Sequence, residues 1–162
     1  MVDSKEKTVV YIQENYERFY KLAYSYSKQR EDALDIVHEA IVKALQNADG
    51  LRSGDNIKPW FYRILVNESL NLLRRKEKTL EMDGFEDFEI ADSSSSRADY
   101  IDLYQSLDGL PLGLKTVILL HYFEGMKLEE IARVTDTNIN TVKSRLHRAL
   151  RLLRVELEVL DK

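Results

Sequence analysis

Apolar residues recur every three to four positions along most of this chain, the spacing of helices buried on one face. Val9, Ile12, Tyr16, Phe19, Tyr20 and Ala23 carry that period and predict a helix over residues 5–27, broken at Gln29 and Arg30. Ala33, Ile36, Val37, Ala40, Ile41, Ala44 and Leu45 form a second stripe over residues 31–48. Glu31 and Asp32 stand in its first turn, where the helix dipole favours acids. Gly50, Ser53, Gly54, Asp55 and Asn56 are turn formers and mark residues 49–57 as a loop. Pro59 suits the first turn of a third helix running to about Arg75, since its missing N–H costs nothing there. Trp60, Phe61, Ile64 and Leu65 pack its front half, and Leu72 and Leu73 its rear. It ends in Arg74, Arg75 and Lys76, a favourable basic C-terminus. Three such helices can enclose a small core.

The period then stops. Residues 77–96 alternate acids with Met82, Phe85, Phe88 and Ile90 and close on four serines, which predicts a flexible linker. Tyr100, Leu103 and Leu107 suggest a short helix, interrupted at Gly109 and Pro111. Residues 112–123 are apolar enough for a buried helix, ended by Gly125. A short helix follows over residues 128–134, with Ile131 and Ala132 inward, then a turn over residues 135–139. Val142, Leu146, Ala149, Leu150, Leu153 and Leu157 form the stripe of a long last helix. The expected fold is all-α: a helical domain over residues 1–76, an acidic linker over 77–99, and a second helical domain over 100–162.

Charge sharpens this division. The 162 residues carry a net charge of -4, which excludes a simple basic coat for nucleic acid. Residues 77–107 alone hold 9 acids against 2 bases, whereas both flanking segments are slightly basic. That acidic segment either screens the basic last helix or merely keeps the chain soluble, and both readings stay open. Cysteine is absent, so there is no disulfide, thiolate metal site or cysteine nucleophile. The N-terminus is charged, unlike a secretory signal, and no run approaches the roughly 18 apolar residues of a membrane span. A soluble cytoplasmic protein is expected, without membrane insertion.

A short helix, a tight polar turn and a longer helix make a helix-turn-helix pattern. Asn138 can cap the longer helix by accepting a backbone N–H. Between Asn140 and Arg154 there are five Lys or Arg residues and no acid. Asn140, Thr141, Lys143, Ser144 and Arg145 crowd the start of that helix, where side chains can reach base edges. Arg148 and Arg151 lie further along, where arginines meet phosphates. A basic face that is merely solvated is the bland alternative.

Leu128-Glu-Glu-Ile-Ala132 followed by Thr141-Val-Lys-Ser-Arg-Leu-His-Arg-Ala149 resembles region 4 of the extracytoplasmic-function, or group 4, sigma factors of the sigma-70 family. Glu31-Asp-Ala-Leu-Asp-Ile-Val-His-Glu-Ala40 resembles region 2.2 of the same family. Trp60-Phe-Tyr-Arg-Ile-Leu-Val-Asn67, with Asn71 and Arg74-Arg75, resembles regions 2.3 and 2.4. The resemblance implies a dissociable RNA polymerase subunit that directs promoter-specific transcription initiation, with no catalysis and no cofactor of its own. It implies docking on the beta-prime clamp of core RNA polymerase through Asp32, Asp35, Ile36, Glu39 and Lys43. It implies that Tyr62, Arg63, Asn67, Asn71, Arg74 and Arg75 hold the opened -10 element, helped by the loop over residues 51–58. Stacked aromatics, polar edges and cations are the physics of single-strand binding. Trp60 and Phe61 are assigned mainly to the core. The second domain is expected to read the -35 element and to touch the beta flap, supported by Leu114, Val117, Ile118 and Tyr122. An anti-sigma factor, in many relatives membrane-linked, is the expected inhibitor.

The chain departs from the family pattern in places. Asn71 stands where many relatives have Asp, and Lys127 where Ser or Thr often caps the short helix. Asp136 takes the common Gly position, and Thr135 and Thr137 replace apolar residues of the turn. Other classes explain less. A free-standing helix-turn-helix regulator leaves Asp32–Lys43 and Trp60–Arg75 without a task. An enzyme lacks support, since His38, Glu39 and His121 have no compact metal spacing and residues 109–113 no phosphate-loop fingerprint. A protein-binding adaptor leaves the basic helix unexplained.

Overall fold

The computed structural model describes residues 3–51, 56–76 and 107–160, with side chains as far as Arg154. Residues 52–55, the acidic segment 77–99 and the short helix expected around Tyr100 and Leu103 lie outside the described residues. The described regular structure is helical and falls into two compact units, divided between Lys78 and Thr79.

In the first unit α1 (Ser4–Ser27), α2 (Arg30–Gln46) and α3 (Ile57–Lys76) each pack on the other two. Asp3 starts α1 by accepting the Glu6 N–H at 2.8 Å. Lys28 ends it in the left-handed conformation, φ 62°, with its N–H on the Tyr24 carbonyl at 2.8 Å. The buried face of α1 runs through Thr8, Ile12, Phe19, Leu22, Ala23 and Tyr26. Val9, expected inside, lies on the outer edge. Thr8 takes the inner position because its hydroxyl donates to the Ser4 carbonyl at 2.7 Å and enters the core satisfied.

Along α2, Ala33, Ala40 and Ala44 are fully buried, and such small side chains let neighbouring helices approach closely. A 3-10 turn, Ala48–Gly50, leads to buried Leu51, whose carbonyl accepts the Ser4 hydroxyl at 2.7 Å. Pro59 sits in the first turn of α3. Phe61, Tyr62, Leu65, Val66, Leu70 and Leu73 form much of its inner face, while Trp60 and Ile64 fall at the border. Phe19 meets Phe61 with ring centroids 4.4 Å apart and Tyr62 edge-on at 5.5 Å, both favourable aromatic geometries.

In the second unit α4 (Leu112–Ile118) continues into a π turn, Leu119–Phe123. Every residue from Leu112 to Leu120 is buried, so this segment is an interior helix rather than an amphipathic one. Lys115 lies within it, its Nζ 3.5 Å from an Asp108 carboxylate oxygen. The Glu124 N–H reaches back to the Leu119 carbonyl at 3.0 Å, and Gly125, φ 68°, turns the chain out.

The predicted helix-turn-helix follows as α5 (Leu128–Thr135) and α6 (Ile139–Leu160). Lys127 brings no capping oxygen, and the Glu130 carboxylate instead accepts its N–H at 3.0 Å. Asp136 adopts φ 56°, which places the Thr137 N–H on the Ala132 carbonyl at 3.0 Å. The Thr135 hydroxyl bonds the Ile131 carbonyl at 2.8 Å and the Thr137 hydroxyl at 2.9 Å, so polar residues close this turn. Asn138 caps α6, accepting the Thr141 N–H at 2.9 Å and its hydroxyl at 3.2 Å. Val142 and Ala149 anchor α6, whereas Leu150, expected inside, is exposed and Ala132 is only partly buried.

The left-handed cap at Lys28 yields a direct expectation. A lysine Cβ is strained there and a glycine is not. Lys28→Gly should stabilise the first unit by about 1 kcal/mol in urea unfolding. A loss of stability would show that the Lys28 side chain contributes more than its backbone strain costs.

Candidate functional site

Two faces of α3 have different surroundings. Residues 68, 72 and 75 follow one another at helical spacing toward α2, and residues 63, 67, 71 and 74 form a separate outer stripe. Glu68, Leu72 and Arg75 join Asp35, Ile36, His38, Glu39 and Val42 of α2 around a groove of about 350 Å³. Asp35, His38 and Glu39 are exposed at its edge, and Val42 keeps 46% of its surface open to solvent. An apolar side chain so placed among acids has no role in the core. The Tyr16 hydroxyl lies 3.3 Å from His38 Nε2 and braces this edge against α1.

Two ion pairs join the same helices. Lys43 Nζ meets buried Glu68 at 2.5 Å, and Lys76 pairs with Asp32. The hydrogen bond to Glu68 raises the Lys43 pKa above the usual lysine value, against the opposing pull of desolvation, with charge attraction from Glu68 and Glu39 adding to it.

The five clamp candidates therefore occupy different settings. Asp35 and Glu39 line the groove and are exposed. Ile36 is buried and belongs to the core as much as to the groove. Asp32 and Lys43 are engaged by partners on α3. Sequence reasoning missed His38, Val42, Glu68 and Leu72. Val42 was legible as the apolar residue left outside the α2 stripe.

Among the residues expected at the -10 element, Arg63, Asn67 and Arg74 are exposed and Asn71 is partly exposed. Arg74 Nη1 approaches the Asn71 side-chain oxygen at 3.4 Å. Tyr62 corrects the expectation: it is 1% exposed and packed edge-on against Phe19, so its ring faces are unavailable to a base. Trp60 retains partial exposure at the start of the outer stripe, so the two aromatic positions exchange their expected settings. Arg75 is exposed as well, and it also lines the groove toward α2.

On α6, Asn140, Lys143, Ser144, Arg148 and Arg151 are exposed. Thr141 is partly buried and committed to the Asn138 cap. Arg145 is partly buried, with Nη1 closed off from solvent, which departs from an open base-reading position. His147 and Arg154, which were not among the expected -35 contacts, extend the exposed face. On the π turn Tyr122 is 56% exposed and stands edge-on to His121, centroids 4.7 Å apart. His121 Nδ1 is held 2.9 Å from the Met126 carbonyl oxygen. Leu114, Val117 and Ile118 are core residues. Among the described residues, no group of three His, Cys, Asp or Glu is placed to hold a metal, and no helix is long and apolar enough to cross a membrane.

Comparison with known proteins matches both units. Residues 11–79 match the family model described as Sigma-70 region 2, and residues 100–153 the one described as Sigma-70, region 4. RNA polymerase sigma factor SigV of Bacillus subtilis (strain 168) is 45% identical over 157 residues, covering 95% of this chain and 93% of that protein. The ECF RNA polymerase sigma-E factor of Escherichia coli (strain K12) is 30% identical over 133 residues, covering 73% and 70%. Among solved structures, the sigma factor RpoE in complex with the anti-sigma factor NepR from Bartonella quintana aligns with a TM-score of 0.72 at 25% identity, over 92% of this chain and 97% of that one. CnrH in complex with the cytosolic domain of CnrY aligns with a TM-score of 0.71 at 22% identity, over 94% and 88%.

The Lys43–Glu68 pair predicts a pH signature. Lys43→Met should destabilise the first unit by about 1–2 kcal/mol at neutral pH, because it strands a buried carboxylate. Folding raises the lysine's proton affinity, so its contribution is present below the ordinary value of 10.5 and is lost as pH rises through the raised one. Urea midpoints of wild type and Lys43→Met should converge only in strongly alkaline solution. Convergence near neutrality would mean that the ammonium contributes nothing.

Proposed function

The chain belongs to the extracytoplasmic-function class of the sigma-70 family, and from that premise we propose how its surfaces divide the work of transcription initiation. It is a sigma subunit that directs promoter-specific initiation by RNA polymerase. The observation that carries the division is its order along one chain: the acidic groove edge of α2, the polar outer stripe of α3, then a capped helix-turn-helix with a basic face.

The α2 edge docks on the beta-prime clamp of core polymerase. Asp35 and Glu39 supply charge for a basic partner helix, and Val42 supplies apolar area between them. The outer stripe of α3 holds the opened -10 strand. Trp60 offers a ring to an unstacked base, Asn67 and Asn71 offer polar edges, and Arg63 and Arg74 hold the backbone. Tyr62 supports this helix from inside. On α6, Asn140, Lys143 and Ser144 reach base edges of the -35 element while Arg148 and Arg151 contact phosphates. Tyr122 faces the beta flap.

The chain forms no bonds itself: core polymerase and its magnesium join the nucleotides. It works in the cytoplasm, where the polymerase is, and needs no cofactor. The domains run over residues 1–76 and 100–162, with 77–99 between them. Regulation falls to an anti-sigma factor, the kind of partner NepR is for the Bartonella sigma factor. Such a partner covers the α2 edge, the reading face of α6, or both.

Run-off transcription with purified core polymerase tests the function: product from candidate promoters is expected only when the chain is added. No promoter-dependent product across a broad genomic template set would overturn it. On the holoenzyme, Lys143→Ala should relax preference at one -35 position by about 1–3 kcal/mol. Arg151→Ala should weaken matched and altered sites alike and lower the salt slope by about one. Equal losses on both sites for Lys143→Ala would reassign that residue to the phosphates.

A further inference from the structure

Ala33, Ala40 and Ala44 of α2 are fully buried in the apolar core that α2 shares with α1 and α3. Apolar contact is non-directional and small side chains interdigitate weakly, so such a surface resists separation better than sliding. Position along α2 and α3 needs directional contacts. Ion pairs at the two ends of α2 supply such contacts. Asp32, in the first turn of α2, pairs with Lys76 at the end of α3, and Lys43, in the last turn of α2, pairs with Glu68 in the middle of α3. The anchors lie about 16 Å apart along α2 and about 12 Å apart along α3, at 1.5 Å per residue. Two separated anchors restrict both sliding and rotation of one helix on the other.

Glu68 is the more telling partner. It is buried beneath the groove, next in sequence to Asn67 and three residues before Asn71, so it flanks the outer stripe on the side toward α2. A buried carboxylate is costly to desolvate, and an ion pair there contributes little net stability compared with apolar residues of the same volume. What it supplies is a defined geometry. Binding sites generally work only when supporting contacts hold them within about 0.5 Å of the productive arrangement.

We propose that Glu68 is a positioning residue: through Lys43, and together with the Asp32–Lys76 pair, it holds the DNA-facing stripe of α3 in register with the docking edge of α2. This rests on the functional division above. Docking at Asp35, Glu39 and Val42 then sets where Asn67, Asn71 and Arg74 stand at the opening promoter. The hydrogen bond that raises the Lys43 pKa is the same contact, which marks the pair as coupled electrostatically as well as in geometry.

The test uses whole chain assembled with core polymerase and compares wild type, Glu68→Gln and the apolar pair Lys43→Met with Glu68→Leu. Three quantities are read: unfolding midpoint, affinity for core, and the rate of promoter opening from permanganate reactivity of unpaired thymines. Glu68→Gln should keep core affinity but open promoters about tenfold more slowly, within the range by which buried network residues modulate coupled sites. The apolar pair should unfold at or above the wild-type midpoint and still open slowly. Opening at the wild-type rate in either variant overturns the proposal. So does a loss that tracks core affinity or unfolding midpoint, because a purely structural role predicts that. If wild type itself opens no promoter with core polymerase, the functional division falls and this inference with it.

Discussion

Phe19 of α1 meets Phe61 of α3 with ring centroids 4.4 Å apart, and the consequences reach every surface of the first unit. The contact sets the rotation of α3 about its own axis. With Phe61 and Tyr62 turned inward, Glu68, Leu72 and Arg75 are carried toward α2, and Arg63, Asn67, Asn71 and Arg74 are left on the outside. A rotation of one residue, about 100°, would bury some of those polar groups and expose Tyr62. One aromatic contact therefore separates the groove from the outer stripe. The alanines of α2 complement it, since small residues there let all three helices close around the aromatic centre.

The second unit solves a different problem with other means. Its central helix is buried all round, so it has no outer face of its own to offer along Leu112–Leu120. The π turn that follows ends this enclosure and places Tyr122 at the surface. The helix-turn-helix then hangs on two backbone decisions, the left-handed Asp136 and the Asn138 cap. Together they fix where α6 starts, and hence which of its side chains stand at the exposed first turns. The threonines of the turn satisfy their hydroxyls within it, so a polar turn holds a geometry that apolar packing could also have provided.

Charge acts in two ways in this chain. On α6 the run from Asn140 to Arg154 holds five bases and no acid, and Lys143, Arg148, Arg151 and Arg154 are exposed, which suits attraction to a polyanion at long range. Between α2 and α3 it is paired and partly buried, which suits geometry more than stability. The same residue types thus stand exposed on one unit and paired between helices on the other, and burial separates the two settings.

Much of this was legible without coordinates. Helical period, Pro59 in a first turn, Gly125 at a helix end and Asn138 before a basic helix all act through neighbours three or four residues away, so the local pattern contains them. The order of the docking, strand-holding and reading motifs was equally a property of the sequence, and it carried the family resemblance. What the local pattern could not contain was helix rotation. Val9 against Thr8, and Trp60 against Tyr62, are choices between positions one or two residues apart, settled only by which neighbour faces them. The Lys43–Glu68 and Asp32–Lys76 pairs span 25 and 44 residues, and no spacing rule links groups that far apart. Side chains that the sequence placed together on one task, such as Arg74 with Arg75, were parted because a helix turns about 100° per residue and only packing says which side is out.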